Sequence, residues 1–324
     1  MSHPSDAGRG ERIGGRLFVW FQYLLPQHAV SRCVFVATRV RRAWFKNLLT
    51  RGFLTLFSVD MSEAVETDPL LYGSFNEFFT RALKPDARPI DTHPDSIASP
   101  VDGTVSECGV IEGNRLLQAK GQQYTLGELL AEQPWAKGFE GGSFATIYLA
   151  PFNYHRIHMA VRGTLVDTVH IPGRLFSVNT ATAQFVPRLF ARNERVLTLF
   201  DTDFGRFALV LVGALNVGSM ATVWAGDITP VTPGAPVSDA TPATREAPTA
   251  RTSPGGRRVV TRITSPAVTL EKGAELGRFN MGSTVILLFE PNRTRWHPLL
   301  RAGSVVQLGQ PIGQRLTAEQ GPAP

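Results

Sequence analysis

Residues 275–290 read ELGRFNMGSTVILLFE, a strand-like segment that is interrupted by Gly282 and Ser283. The apolar run 285–289 is typical of a core strand. Glycine contributes no side-chain packing to a strand, and it usually marks a bulge or a close approach of the backbone. The pair is therefore either the turn before a buried strand or a backbone position that serves chemistry, and other residues must decide between the two.

The rest of the chain divides into a helical first part and a β-rich second part. Residues 75–90, FNEFFTRALKPDARPI, predict a helix that ends at Pro85. Short apolar runs punctuated by Gly and Pro then predict strands, for example at 144–149, 196–200 and 207–212. Residues 227–258 are rich in Pro, Thr, Ala and Ser and predict a mobile insertion between two β segments.

The positive charge of the chain is concentrated at its start. Residues 1–60 contain nine Arg or Lys and three acidic residues, so their net charge of +6 equals that of the whole chain. Such a balance indicates an anionic partner, either nucleic acid, a membrane surface or an acidic substrate. Two cysteines, Cys33 and Cys108, have no metal-ligand spacing and favour a reducing compartment.

Within residues 31–57, apolar and basic side chains separate onto two faces of a predicted helix. The apolar face has Val36, Val40, Trp44 and Leu48, and the basic face has Arg39, Arg42 and Lys46. The segment is either a helix packed on the domain with solvated arginines, or an interfacial helix between acyl chains and anionic headgroups. Residues 17–25 imitate a signal peptide, but the basic segment directly after them argues against that interpretation. The chain has no apolar run of 18 residues, so no ordinary membrane span is predicted.

Three short islands contain candidate reactive side chains: Asp102 in SPVDGTV, His155 and His158 in YHRIHM, and Ser283. Taken singly, Asp102 suits a turn, and the histidines suit either a hydrogen-bonded core or a metal site that lacks a third ligand at usable spacing. Together they supply an acid, an imidazole and a hydroxyl, the three groups that activate a serine as a nucleophile. The Gly-x-Ser-x-Gly elbow of the usual hydrolases is absent.

These islands, in this order, resemble the phosphatidylserine decarboxylase family over almost the whole chain. The resemblance rests on the basic aromatic N-terminus and on FFTRALKPDARPI, SPVDGTV, YHRIHM, PGRLFSVN, FARNERV, VGALNVGSM, VWAGDITP and KGAELGRFNMGSTVI. The family's cleavage motif usually reads Leu-Gly-Ser-Thr or Leu-Gly-Ser-Ser. Met281 replaces that leucine, a change that conserves volume outside the reacting bond.

The resemblance implies that the chain cuts itself between Gly282 and Ser283 into subunits 1–282 and 283–324. Ser283 Oγ would attack the Gly282 carbonyl, and β-elimination would then leave a dehydroalanine that becomes a covalent pyruvoyl group. Asp102 and His158 would complete a charge-relay set with Ser283. His155 would assist decarboxylation or the protonation that follows it.

The implied reaction converts phosphatidylserine to phosphatidylethanolamine and CO2 through a Schiff base between the substrate amine and the pyruvoyl group. It needs no metal and no pyridoxal phosphate. The implied partners are phosphatidylserine, an anionic membrane surface and the second cleavage fragment, with further dimerisation an open alternative and no nucleic acid. The implied location is peripheral, on the cytoplasmic side of the cell membrane.

The implied fold is α+β, with N-terminal amphipathic helices followed by a mainly antiparallel β catalytic core. We expect a disordered N-terminus at 1–16, a basic membrane-associating helical segment at 17–66 and a catalytic domain at 67–324. Two other classes of protein compete with this interpretation, a serine hydrolase acting on lipid esters and a non-catalytic membrane-binding protein. Both would keep an unbroken chain, so cleavage next to residue 283 decides among the three.

Overall fold

The structure is a computed structural model that describes residues 14–15, 18–119, 122–215, 219–229, 261–263 and 267–316. The predicted disordered terminus, 1–16, lies outside these residues except for residues 14 and 15, which are helical. The predicted insertion at about 227–258 lies outside them from residue 230 onwards.

Helices form the first part of the chain, as predicted. After a helical stretch at 18–24, the longer helices are α1 (Gln27–Thr38) and α2 (Ala43–Leu56), and a short helix, α3 (Phe75–Phe79), follows.

Further short helices lie among the strands of the second part. They are α4 (Leu126–Leu130), α5 (Thr180–Phe185) and α6 (Leu189–Arg192). The 3-10 turns are Pro85–Ala87 and Ala136–Phe139.

The helical face predicted over residues 31–57 is interrupted, because residues 39–42 separate α1 from α2. Polar partners elsewhere in the fold bind the arginines of this break. Arg39 donates to Ser219 Oγ at 3.1 Å and to Asp227 Oδ2 at 3.3 Å, while Arg41 pairs with Glu77. These tertiary contacts fix a bend that helical periodicity alone does not reveal.

The helix predicted from residue 75 to Pro85 was wrong beyond its first turn, since α3 ends at Phe79. Ser74 starts this helix by accepting a hydrogen bond from the Glu77 backbone N–H at 3.2 Å. The next residues extend and pair with an earlier segment, through Val65 N–H to Ala82 O at 3.0 Å and a bridge between residues 64 and 83. Backbone pairing with residues distant in sequence therefore overrides the local helical pattern.

The second part of the chain is a set of antiparallel sheets, which confirms the α+β prediction. The strands are β1 (Ser96–Ala98), β2 (Gly103–Val110), β3 (Arg115–Ala119), β4 (Gln122–Thr125), β5 (Ser143–Leu149), β6 (Arg156–His158), β7 (Gly163–Ile171), β8 (Arg195–Thr202), β9 (Gly205–Val212), β10 (Met220–Thr222), β11 (Gly226–Asp227), β12 (Thr261–Arg262), β13 (Thr269–Leu270), β14 (Glu275–Phe279), β15 (Ser283–Phe289), β16 (Thr294–Trp296), β17 (Val305–Val306) and β18 (Pro311–Arg315). In the described ranges, the largest sheet has the order β12-β7-β8-β9-β15-β5-β2-β17, and β13 also pairs with β7.

Strand β15 lies in the interior of that sheet, hydrogen-bonded to β9 on one side and to β5 on the other. All seven of its residues are buried. A strand that is buried on both faces needs apolar side chains without alternation, which explains the continuous run after Ser283. In register, Ser283 lies opposite Leu149 of β5.

The Gly-Ser pair lies where the chain passes from one sheet to another. Strand β14 belongs to a separate sheet of order β11-β10-β14-β6, and residues 280–282 connect it to β15. Residues 275–290 are thus two strands of different sheets rather than one interrupted strand. Gly282 is the last residue of the crossing, and Ser283 is the first residue of the central strand.

A second hydrophobic cluster joins the N-terminal helices to this crossing. We call the buried Phe53, Phe75, Phe78 and Phe79 the phenylalanine cluster. Phe53 of α2 contacts the three rings of α3 with centroids 5.5 to 6.0 Å apart, and Met281 packs against the same cluster. The basic amphipathic segment is therefore connected by apolar contacts to the residue that precedes Gly282.

Candidate active site

Ser283 has a hydroxyl group without a hydrogen-bond partner. The residue is completely buried, and among the described residues its Oγ has no hydrogen-bond partner. Leaving a buried polar group unsatisfied costs about 1–3 kcal/mol, so such groups are uncommon in folded proteins. This hydroxyl lies at the beginning of a central strand, and the hydroxyl of the next residue, Thr284, shares the same lack of a partner within the described residues.

His155 is the imidazole that lies against the Gly282–Ser283 junction. Its Nδ1 donates to the Asn153 carbonyl at 2.8 Å, which leaves Nε2 as the nitrogen with the free lone pair. Nε2 has no partner and lies 3.7 Å from the position that a Cβ on Gly282 would occupy. Burial lowers the pKa of His155 to about 3, so the ring is neutral near pH 7.

His158, three residues further on, has both ring nitrogens occupied. Nδ1 donates to the Gly273 carbonyl at 2.8 Å, and Nε2 lies 3.1 Å from the Tyr154 hydroxyl. Burial lowers the pKa of His158, although the bond to Gly273 opposes this effect. Burial also raises the pKa of Tyr154 to about 12, so its hydroxyl remains protonated and donates to His158.

Asp102 precedes β2 and is bound by other groups than His158. Its carboxylate accepts from Arg88 Nη2 at 2.8 Å, from Arg88 Nε at 3.0 and 3.2 Å, and from the Leu308 backbone N–H at 2.8 Å. Arg88 also contacts Glu63 at 2.8 Å. These contacts raise the pKa of Arg88, so the guanidinium remains charged beside Asp102.

The structure brings the predicted residues to one end of the large sheet without closing the predicted relay. Strand β5 lies between β2 and β15. Two strand spacings therefore separate the backbones of Asp102 and Ser283, a distance of roughly 10 Å. His155 lies at the junction, whereas His158 bonds to Gly273 and Tyr154 and forms no hydrogen bond to Asp102 or Ser283. Asp102–His158–Ser283 stays a prediction.

Sequence reasoning missed Arg88 and Tyr154, which occupy the hydrogen-bonding groups of Asp102 and His158. Both stand inside quoted motifs, Arg88 in FFTRALKPDARPI and Tyr154 directly before His155. Arg88 and Asp102 belong to different motifs, so neither motif alone reveals that pair. Tyr154 lies four residues before His158 in the same motif, but the spacing alone does not show that the hydroxyl binds the ring. In the part of the chain that the structure describes, no group of three or more His, Cys, Asp or Glu side chains could hold a metal ion.

The protein is thus of the α+β class, with a buried serine and a neutral imidazole close together where the chain crosses between two sheets. A family model described as Phosphatidylserine decarboxylase matches residues 75–314, and another described as PSD matches residues 17–58. The chain belongs to the phosphatidylserine decarboxylase family, which confirms the resemblance drawn from the motifs.

Individual relatives match nearly the full length of the chain. The phosphatidylserine decarboxylase proenzyme of Pseudomonas fluorescens is 50% identical over 92% of this chain and 97% of its own. The proenzyme of Methylococcus capsulatus is 47% identical over 92% and 96%. That of Alkalilimnicola ehrlichii is 53% identical over 82% and 85%.

Acidification should destabilise the protein through His155. The pKa of this residue is about 3 in the folded chain and about 6.5 in an unfolded one, so the unfolded chain binds the extra proton. The stability that depends on neutral His155 is complete above about pH 6.5 and is lost as the pH falls towards 3. We expect the free energy of unfolding to fall by up to about 1.4 kcal/mol per pH unit more than in a His155→Gln variant.

Urea denaturation at several pH values between about 7.5 and 5 measures this difference, in a Ser283→Ala background so that a single chain unfolds. Glutamine can still donate to Asn153 O but does not titrate. Other histidines are present in both proteins, so their contributions cancel. Identical pH profiles for the two proteins would contradict the burial argument.

Proposed function

We propose that this chain cuts itself between Gly282 and Ser283 and then decarboxylates phosphatidylserine to phosphatidylethanolamine and CO2. The observation that carries the proposal is the buried, unpartnered Ser283 Oγ at the sheet crossing, with the unpartnered Nε2 of His155 beside the same junction. The matched relatives are named proenzymes, and that name supports a precursor that must be processed.

In the proposed self-cleavage, Ser283 Oγ attacks the Gly282 carbonyl carbon and the C–N bond breaks, so that the peptide becomes an ester. Removal of the Ser283 Cα proton then expels the ester oxygen, leaving a carboxylate at Gly282 and a dehydroalanine at 283. Tautomerisation and hydrolysis consume one water and release ammonia, which gives the pyruvoyl group.

The pyruvoyl group supplies a ketone that accepts the substrate amine and withdraws electrons while CO2 leaves. Residue 283 suits such a group, because it is buried and lies beside a neutral imidazole. His155 is proposed to move a proton there, since its Nε2 has a free lone pair at the junction. Strand β15 is hydrogen-bonded to β9 and β5, so the fragments 1–282 and 283–324 would stay together after cleavage.

Asp102 and His158 are proposed as the relay that takes the proton of the Ser283 hydroxyl. In the structure His158 Nε2 is the acceptor nitrogen, but it is bonded to Tyr154. Closing the relay therefore requires the imidazole to exchange its contact with Tyr154 for one with Ser283. It also requires the ring to exchange its contact with Gly273 for one with Asp102. Burial is the main cause that lowers the pKa of His158, and the negative charge of Asp102 opposes it. Buried Asp102 would therefore stabilise the imidazolium once the ring takes up the proton.

The N-terminal segment is proposed to seat the enzyme on the cytoplasmic face of the cell membrane, where a diacyl substrate resides. More than half of the exposed large hydrophobic side chains in the described residues lie between 18 and 56, including Trp20, Leu24, Trp44, Leu48 and Leu56. Their exposure next to arginines supports the interfacial interpretation. No helix within the described ranges is long and apolar enough to span a bilayer.

Intact mass spectrometry of the freshly purified protein tests the proposal most directly. We expect two fragments, corresponding to residues 1–282 and 283–324, the smaller with a blocked N-terminus, and we expect them to co-purify until the protein is denatured. The Ser283→Ala variant should give one uncut chain without decarboxylase activity. An unbroken wild-type chain that turns over phosphatidylserine would contradict the proposal, and an unbroken chain labelled by fluorophosphonates would favour a serine hydrolase.

Substitutions of the two histidines should impair different steps, self-cleavage for His158 and decarboxylation for His155. We expect His158→Ala to leave most of the chain uncut, because the relay lacks its base, which typically contributes about 10²–10⁴-fold. His155→Gln should be cut but should decarboxylate poorly. Gel analysis measures the fraction of chains that are cut, and CO2 release per cut chain measures decarboxylation. The assignment is contradicted if His155→Gln blocks cleavage while His158→Ala is cut but decarboxylates poorly.

Membrane binding should depend on the exposed apolar side chains of α2. Trp44 and Leu48 are 70% and 63% exposed, and replacing both by Ser removes apolar area worth about 25 cal/mol per Å². We expect less co-flotation with anionic vesicles at unchanged stability. A matched control replaces Leu299 and Val110, which are 75% and 66% exposed outside the N-terminal segment; an equal loss in that control would argue against a specific interfacial helix.

A further inference from the structure

We infer that the guanidinium of Arg81 binds the phosphodiester of the lipid substrate. The inference rests on the proposed function and adds to it a residue that recognises the headgroup. Arg81 lies two residues beyond α3, in the segment that leaves the phenylalanine cluster and enters the extended pairing with residues 64–65.

Arg81 is a buried cation with an unused hydrogen-bond donor. The residue is only 5% exposed, and burial lowers its pKa. Its Nη2 donates to the Phe152 carbonyl at 3.3 Å, while Nε has no partner. Within the described residues no carboxylate oxygen lies within salt-bridge distance of Arg81. A guanidinium N–H donates strongly to phosphate oxygens, so the unpartnered Nε suits a tetrahedral oxyanion.

Arg81 lines a pocket of about 270 Å³ that also includes Arg88, Asp102, Phe152 and Tyr154. The other charged groups of the pocket are Asp60 and Glu63. Arg88 is already paired with two of the carboxylates, Glu63 and Asp102. Asp60 is exposed and accepts from Ser62 N–H. Arg81 is therefore the cation of this pocket whose charge is not directly paired.

The pocket is lined by the residues that lead into His155. Its wall includes Asn153 and Tyr154, which directly precede His155, and the ring of Phe79 lies 4.2 Å from the ring of His155. The charge of Arg81 is close enough to lower the pKa of His155 further. In a serine headgroup only an ester oxygen and two carbons separate the phosphorus from the amine nitrogen. A phosphate on Arg81 therefore suits an amine that reacts at residue 283.

The substrate offers two anions, its carboxylate and its phosphodiester. A guanidinium on the carboxylate would stabilise a charge that disappears as CO2 leaves, and so would oppose the reaction. The phosphodiester keeps its charge from substrate to product. Binding it lowers KM without changing the barrier after binding, and we therefore assign the phosphodiester to Arg81.

The experiment compares dihexanoyl phosphatidylserine with its methyl phosphotriester, in which the phosphate is neutral. With the processed wild-type enzyme we expect KM to be about tenfold or more higher for the triester, and kcat to change by less than about threefold. In Arg81→Met the two substrates should have the same KM, close to that of the wild type with the triester. Arg81→Lys should recover part of the difference.

Binding provides a readout that does not depend on turnover. Calorimetric titration of the uncut Ser283→Ala protein with the same two lipids should show the preference for the diester, and Arg81→Met in that background should remove it. Arg162→Met is the matched control, because Arg162 is exposed and pairs with Glu271; it should preserve the preference.

Two results would overturn the inference. The first is a wild-type enzyme that does not distinguish diester from triester, which needs no variant and so does not depend on folding of Arg81→Met. The second is an Arg81→Lys or Arg81→Met variant that has a lower kcat but still prefers the diester as the wild type does. That result would mean that Arg81 only balances the charge of the Asp102–Arg88–Glu63 group and does not bind the substrate. Failure of the wild type to form fragments or release CO2 would instead contradict the proposed function.

Discussion

The rest of the structure depends on one constraint, the anchoring of the chain on both sides of its crossing between two sheets at Gly282 and the buried Ser283. The hydrogen bonds of β15 to β9 and β5 anchor the chain immediately after the crossing, and those of β14 to β10 and β6 anchor it immediately before. A peptide bond between two anchors cannot move away from the groups around it. The fold itself therefore keeps Ser283 and the ring of His155 beside Gly282.

The acid and the imidazole of the proposed relay are both bonded to other partners in the structure. The Asp102 carboxylate, the group that the proposed relay needs, is neutralised by Arg88 and by a backbone N–H. His158 is neutral and bonded to Tyr154. Buried ion pairs are costly to break because an uncompensated charge remains, so a rearrangement that keeps Arg88 on Asp102 and moves only the imidazole is the less costly route.

Much of this could be predicted from the sequence, and the part that could not has a common cause. The apolar run after Ser283 identified the central strand, because burial on both faces leaves a continuous pattern. The helix predicted from residue 75 to Pro85 failed beyond Phe79, since residues 82–83 pair with residues 64–65. The bonds of Asp102 to Arg88 and of His158 to Gly273 also join distant residues. Local patterns encode burial and propensity, but they do not encode partners far along the chain.

The segment FNEFFTR connects three properties that the sequence shows only separately. Its phenylalanines pack against Phe53 of the amphipathic helix α2 and against Met281 of the cleavage motif, and the ring of Phe79 contacts His155. Arg81 then follows at the pocket beside that histidine. Because close-packed interiors transmit strain, a displacement of α2 would reach Met281 and His155 through these aromatic rings. The same short helix thus joins the exposed N-terminal helices to the crossing between the two sheets.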